Sequence, residues 1–129
     1  MNLDWNSGAL AQGLECYQRQ QFFQAHEHWE SVWLACPQPE KSFLQALIQM
    51  AAAFHHLQRH NHRGAASLLS SALRKLERYP PQFSGVEVGL LRQQIAVWLP
   101  LLTGQSFASH PPFPQIRVAP LSPSSIKPM

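Results

Sequence analysis

The stretch AHEHWESVW, residues 25–33, sets two histidines, two glutamates and two tryptophans within nine positions. A histidine and a glutamate four residues apart share a helix face. His26 and Glu30 are therefore spaced to hold one metal ion together, or to act as an acid–base pair near neutral pH. His55 can approach from the next helix and complete a three-ligand set. Two patterns oppose the metal reading. His-Glu-x-x-Glu lacks the second histidine that serves as a ligand in the zinc-protease motif His-Glu-x-x-His. The Glu-x-x-His signature of di-iron helical bundles does not accompany it either. No serine stands in a nucleophile-elbow sequence, neither Cys16 nor Cys36 has an obvious activating histidine, and there is no glycine-rich phosphate loop. The remaining reading is structural: a helix that buries tryptophans beside polar residues that satisfy one another.

Which reading applies depends on the elements that carry these residues. Helical periodicity dominates as far as about residue 101, with no competing strand alternation. A first helix is expected from near Asn6 to Tyr17, weakened by Gly8 and Gly13, each by roughly 1 kcal/mol relative to alanine. The polar turn Gln18-Arg19-Gln20-Gln21 leads into a second helix that ends near Cys36, where CPQPE stops the hydrogen-bond ladder. A third helix spans about Glu40 to Arg59. Asn61 is suited to cap a fourth, from about Arg63 to Arg78. YPPQFSG breaks the chain again, and a fifth helix is expected over Val86 to Leu99.

On the second helix, Phe22, Ala25, Trp29, Val32, Trp33 and Cys36 share one face. His26 lies on that side and is expected to be buried or nearly so. Glu30 should be partly shielded, Glu27 lies further round with Phe23, and His28 should be solvated. The third helix has an apolar face of Leu44, Leu47, Ile48 and Ala51 ending in His55. Beside it runs a seam of Gln45, Gln49, Ala52 and His56. Antiparallel packing of the two helices would let both seams meet in one network, as buried polar groups require.

Tyr17-Gln18-Arg19-Gln20 precedes Ala25 by the spacing with which Leu57-Gln58-Arg59-His60 precedes Ala65. This faint repeat suggests two stacked helical hairpins in the tetratricopeptide style. Residues 102–129, rich in proline and serine and without apolar period, read as a flexible tail in preference to an extended arm lying on the domain through Phe107, Phe113 and Ile116.

Composition sets the outer limits. A chain of 129 residues, 45% hydrophobic and 13% charged, can build one domain with a real core. No apolar run approaches the roughly 20 residues of a membrane span, and the N-terminus lacks the pattern of a secretory signal. Without an export signal the two cysteines read as small buried hydrophobes, and a cytoplasmic setting is expected. The net charge of +3 is uneven. The first 40 residues carry Asp4, Glu15, Glu27, Glu30 and Glu40 against Arg19 alone. Lysine and arginine dominate from Lys41 onward. A basic half can attract nucleic acid, but no aromatic residues interleave with the charges, so this partner is disfavoured.

FFQAHEHWESVW, then FLQALIQMAAAFHH, then HNHRGAASLL together resemble the helical domain-of-unknown-function family 309, over roughly residues 10 to 99. His26, Glu27, Glu30, Trp33, Gln49, His55, Asn61, Gly64 and Ala65 occupy that family's characteristic positions. The chain departs from the family in three places. Gln18-Arg19-Gln20 replaces Asn-x-Gly before the aromatic pair, Ala46 replaces a glycine, and His60 replaces the glycine before the asparagine. A left-handed residue in either turn must then be non-glycine and mildly strained. The resemblance implies an all-α fold and no activity.

The combined expectation is an all-α protein of about five helices packed as stacked antiparallel hairpins, with the helical domain at 1–101 and a Pro-rich tail at 102–129. It would be an interaction or assembly module that meets a protein partner or a second copy of itself, with no membrane contact. His26, Glu27, Glu30, Trp33, Gln45, Gln49, His55 and Asn61 form its binding or structural polar cluster. No catalytic residue, metal or cofactor is assigned. The first alternative is a metal-binding protein, hydrolytic in the extreme case, using His26, Glu30 and His55. The second is a nucleic-acid-associated protein acting through the basic half.

Overall fold

The structure is a computed structural model, and it describes residues 3–104 and 110–118. Five helices follow in order: α1 (Gly8–Gln18), α2 (Phe22–Trp33), α3 (Glu40–Gln58), α4 (His62–Leu76) and α5 (Val88–Thr103). A two-stranded ribbon, β1 (Gln82–Phe83) and β2 (Val86–Glu87), stands between α4 and α5. The fold is predominantly helical, as the periodicity predicts. Consecutive helices pack on one another from α1 to α4, and α5 closes against α4.

The α1–α2 and α3–α4 connections share one design. In the first, the Gln20 amide donates to the Tyr17 carbonyl at 2.9 Å and the Gln21 amide to the Cys16 carbonyl at 2.8 Å. In the second, His60 donates to Leu57 at 2.9 Å and Asn61 to His56 at 2.8 Å. This is the paired closure of a Schellman turn, in which a left-handed residue lets the chain reverse and satisfy the last helical carbonyls. Gln20 and His60 are the left-handed residues, each with φ 62°. Both stand where the family resemblance places glycine. The Gln58 side chain then donates to the Gln20 carbonyl at 2.9 Å, tying the end of α3 to the first turn.

α1 and α2 meet at a glycine. Gly13 is buried, and a Cβ added there would fall inside the Trp29 indole. The Trp29 ring is wholly buried, and its N–H donates to the Leu10 carbonyl at 3.2 Å. The glycine that weakens α1 in isolation thus provides the space for the largest side chain of α2. Around it the core runs through Phe22, Phe43, Phe54, Leu69, Ile95 and Trp98, all buried.

Two sequence expectations need correction. Residues 82–87 form a ribbon where a simple break was expected, with Phe83 opposite Val86 and Gln82 opposite Glu87. Its two-residue tip is Ser84-Gly85, with φ 50° and 82°. Positive φ at both tip positions is what a type I′ hairpin demands. The last helix also runs from Val88 through Pro100 to Thr103, past the expected end at Leu99. The Thr103 hydroxyl lies 3.3 Å from the Leu99 and Pro100 carbonyls and helps satisfy that final turn.

The ribbon gathers two distant segments. The Ser84 hydroxyl accepts from the Leu3 amide at 2.8 Å, and the Ser84 carbonyl accepts from the Trp5 indole at 3.0 Å. On β2, the Glu87 amide donates to the Arg117 carbonyl at 3.0 Å, and Val86 forms a bridge with Val118. Residues 110–118 therefore lie extended along the domain. Phe113 and Ile116 make the contacts foreseen for such an arm. Phe107 lies outside the described residues.

Candidate functional site

α2 and α3 carry most of the residues singled out by chemistry, and their packing decides which of them meet. Phe23 on α2 is the pivot. It is 45% exposed, yet its ring lies 6.1 Å from the His26 ring, nearly parallel at 17°, and 5.2 Å from the His55 ring of α3. An exposed aromatic ring thus has two imidazoles as neighbours. Beside it opens a cleft of about 590 Å3, bordered by Gln20, Gln58 and Arg59.

His26 is half-buried rather than enclosed, with 27% of its side chain exposed, and Glu30 is more open at 52%. The His26 Nε2 lies 4.0 Å from a Glu30 carboxylate oxygen, at the outer limit of an ion pair. His26 Nδ1 is buried with no hydrogen-bond partner among the described residues. A half-buried His28 takes the position expected to be solvated, and Glu27 is exposed. At His55, burial comes first, then the Arg59 cation and the neighbouring His56 and His26 rings, and together they hold the imidazole below its ordinary value. The neutral ring is favoured there, able to donate from one nitrogen and accept at the other.

Among the described residues, no side-chain hydrogen bond joins the polar seam of α2 to that of α3. Gln49 turns toward α4, where its side-chain oxygen accepts from the Lys75 ammonium at 3.2 Å. Gln45 is half-buried on α3. Trp33 is half-buried with the Lys41 ammonium 4.5 Å over its ring, a cation–π contact. Its indole nitrogen has no hydrogen-bond partner among the described residues.

Asn61 belongs to the second turn instead. Its side-chain oxygen accepts from the Gly64 amide at 2.9 Å, capping α4 as expected, while its amide nitrogen lies 3.1 Å from His56 Nδ1. That contact makes Nδ1 the acceptor and leaves the His56 proton on Nε2. Any Cβ on Gly64 would crowd the folded-back Asn61 side chain, with its nitrogen 2.6 Å away. Ala65 is fully buried one residue on. The sequence run Asn61, Gly64, Ala65 is thus accounted for by a cap and the clearance that it needs.

Among the described residues, no group of three or more His, Cys, Asp or Glu side chains is placed to hold a metal ion. His26, Glu30 and His55 form no such group. Sequence reading missed Phe23, which pattern assigned to the outer side of α2 with Glu27. It also missed Glu40, a carboxylate only 5% exposed at the start of α3. Glu40 sits at the positive end of a 19-residue helix, where a carboxylate is stabilised by the helix dipole. Its place directly after a proline break was the available signal.

Residues 10–68 match the family model of the Domain of unknown function (DUF309). The match takes in most of α1, all of α2 and α3 and the first turns of α4, and with them His26, Glu27, Glu30, Trp33, Gln45, Gln49, His55 and Asn61. An uncharacterized protein of Aquifex aeolicus (strain VF5) is 29% identical over 92 residues, which cover 70% of this chain. The chain spans about a quarter (26%) of the length of that curated relative. No helix among the described residues is long and apolar enough to cross a membrane.

Proposed function

We propose, from the DUF309 match over residues 10–68 and the geometry within it, that this is a protein-interaction module whose contact face is Phe23 with His26 and His55. One observation carries the reading: an aromatic side chain on a well-packed helix is left 45% exposed while both flanking imidazoles pack on its ring. Rigid aromatic anchors ringed by groups able to form hydrogen bonds are the residues that dominate protein interfaces. The helix beneath is fixed by the burial of Phe22, Ala25 and Trp29 on its other side, so little ordering would be needed on binding. A matching region that makes up only a quarter of a relative's length suits a module that works within larger assemblies.

The test uses the full chain. A photo-crosslinking residue at position 23 in cells is compared with one at Gln12, an exposed site on α1. Sedimentation of the wild type and of Phe23→Ala measures self-association. The expected result is a discrete cross-link, or a concentration-dependent dimer, that requires position 23. Phe23→Ala should change folding stability by only about 0.5 kcal/mol, as for other surface substitutions. Absence of both a position-specific cross-link and self-association sinks the reading. Salt-sensitive retention on nucleic acid, lost on changing Arg74 and Arg78, would replace it with the electrostatic alternative.

A further inference from the structure

On the side of the molecule where α1 and α5 lie, residues 110–118 sit in a channel built from five separate elements. The Trp98 indole of α5 donates to the Pro112 carbonyl at 3.0 Å. The Tyr17 hydroxyl of α1 donates to the Pro114 carbonyl at 2.6 Å. The side-chain oxygen of Gln94, one turn before Trp98, accepts from the Gln115 amide at 2.7 Å. Between the two proline carbonyls the Phe113 ring enters an aromatic box. Its centroid lies 5.0 Å from both Phe22 and Phe54 and 5.3 Å from Trp98, stacked on the last at 11°.

This is peptide recognition chemistry. An indole and a phenol reach alternate carbonyls of an extended proline-rich strand, and an aromatic pocket takes the side chain between them. Prolines 111, 112 and 114 lock φ near −65° and remove three amide donors that would otherwise need partners. A strand so preordered loses little entropy when it docks. The groove binds mostly through side-chain tips, and the ribbon edge adds one amide–carbonyl bond at Glu87. The occupant also leaves room beside itself, in a cleft of about 650 Å3 bordered by Tyr17, Glu87, Phe113 and Ile116.

We infer that this channel is an exchangeable binding groove for extended peptides carrying an aromatic residue between two prolines, and that residues 110–118 are its internal ligand. The partner in trans is a segment of the same chemistry, Pro-Phe-Pro followed by an amide-bearing residue and an apolar one. The internal strand competes with it, so the groove is available in proportion to the fraction of molecules whose own strand is undocked. This inference is independent of the Phe23 face, which lies on other residues.

The probe is a fluorescent peptide of the sequence HPPFPQIRV, titrated into the full chain and into full-length Phe113→Ala. Anisotropy reads binding, and Trp98 emission reports the groove. The variant weakens the internal strand while leaving the groove residues intact. It should bind the peptide about tenfold or more tighter than the wild type does, and a peptide with alanine in place of its phenylalanine should bind neither. A Phe113→Ala chain that is folded by circular dichroism yet gains no affinity overturns the inference. A measurement on the unaltered protein covers the case in which the variant fails to fold. The Gln115 and Glu87 amides should exchange hydrogen faster than the amides of Leu47–Phe54 in α3, through an opening smaller than global unfolding. Exchange of all of them in step would make the strand an inseparable part of the core and would also overturn it.

Discussion

Gly13 and Trp29 show how a residue that looks like a defect in one helix can be a requirement of the next. In sequence the glycine only weakens α1. In the structure its missing Cβ is the space occupied by the Trp29 indole, a relation between side chains 16 positions apart that no local window contains. Gly13→Ala should therefore destabilise the protein by about 1–3 kcal/mol through overpacking, despite alanine's better helix propensity. Urea unfolding checks this, and an unchanged or raised midpoint would show that the indole moves aside freely. His55 gives a second prediction. Its folded value is depressed below the ordinary 6.5, so the unfolded chain binds the proton more readily. The stability it contributes is present above about pH 6.5 and is lost as pH falls through the folded value. Thermal midpoints taken between about pH 7.5 and 5.5 should fall, and His55→Gln should flatten that slope. An equally steep slope in the variant would assign the effect to other groups. At this scale the sequence placed His26 and His55 on facing helices. It did not show that both pack against Phe23, because a helical wheel gives the direction of a side chain but not the depth of its neighbour.

The two turns are the elements that the sequence foretold best. The matching intervals before Ala25 and Ala65 signalled a repeated hairpin, and Gln20 and His60, both at φ 62°, are its reversal points. The strain follows from L-chirality: a Cβ in the left-handed region crowds the neighbouring carbonyl, and glycine avoids this. Gln20→Gly and His60→Gly should each raise stability by about 0.5–2 kcal/mol, the usual gain from repairing a helix end. Chemical denaturation of the two single variants and the double variant would reveal it. A loss at either site would mean that the present side chain contributes more than its backbone costs. Helix ends were less legible. α2 ends at Trp33, three residues before the expected Cys36, so the proline break marked that end only approximately. The last helix outran its expected end at Leu99, and its last turn is completed by Thr103. The short ribbon escaped notice because two residues per strand are too few to show alternation.

At the scale of the whole molecule, composition favoured a loose tail, because proline and serine without apolar period bury little surface on average. Three particular side chains reversed that average for residues 110–118. Phe113 enters the aromatic box, while Tyr17 and Trp98 hold the backbone on either side of it. The docking site is assembled from α1, α2, α3, β2 and α5, and long-range convergence of this kind leaves no mark in any one segment. The same convergence explains why the polar seam did not close. α4 presents Lys75 to Gln49 and draws it away from the histidines, although the fourth helix looked remote from that seam in sequence.

The Ser84 tip holds Leu3 and Trp5 on one side of the ribbon, and Glu87 holds Arg117 on the other. Such a clasp makes the two segments thermodynamically aware of each other: freeing one relaxes the backbone that grips its counterpart, and the influence must run equally in both directions. Trp5→Phe keeps a ring but deletes the indole donor, and it should speed hydrogen exchange at the Glu87 amide by about fivefold or more while α3 is unaffected. If Glu87 exchanges at its original rate, the ribbon is a fixed post and the two segments are merely neighbours. If it quickens, whatever engages the leading residues of the domain also governs access to a groove formed largely by other elements.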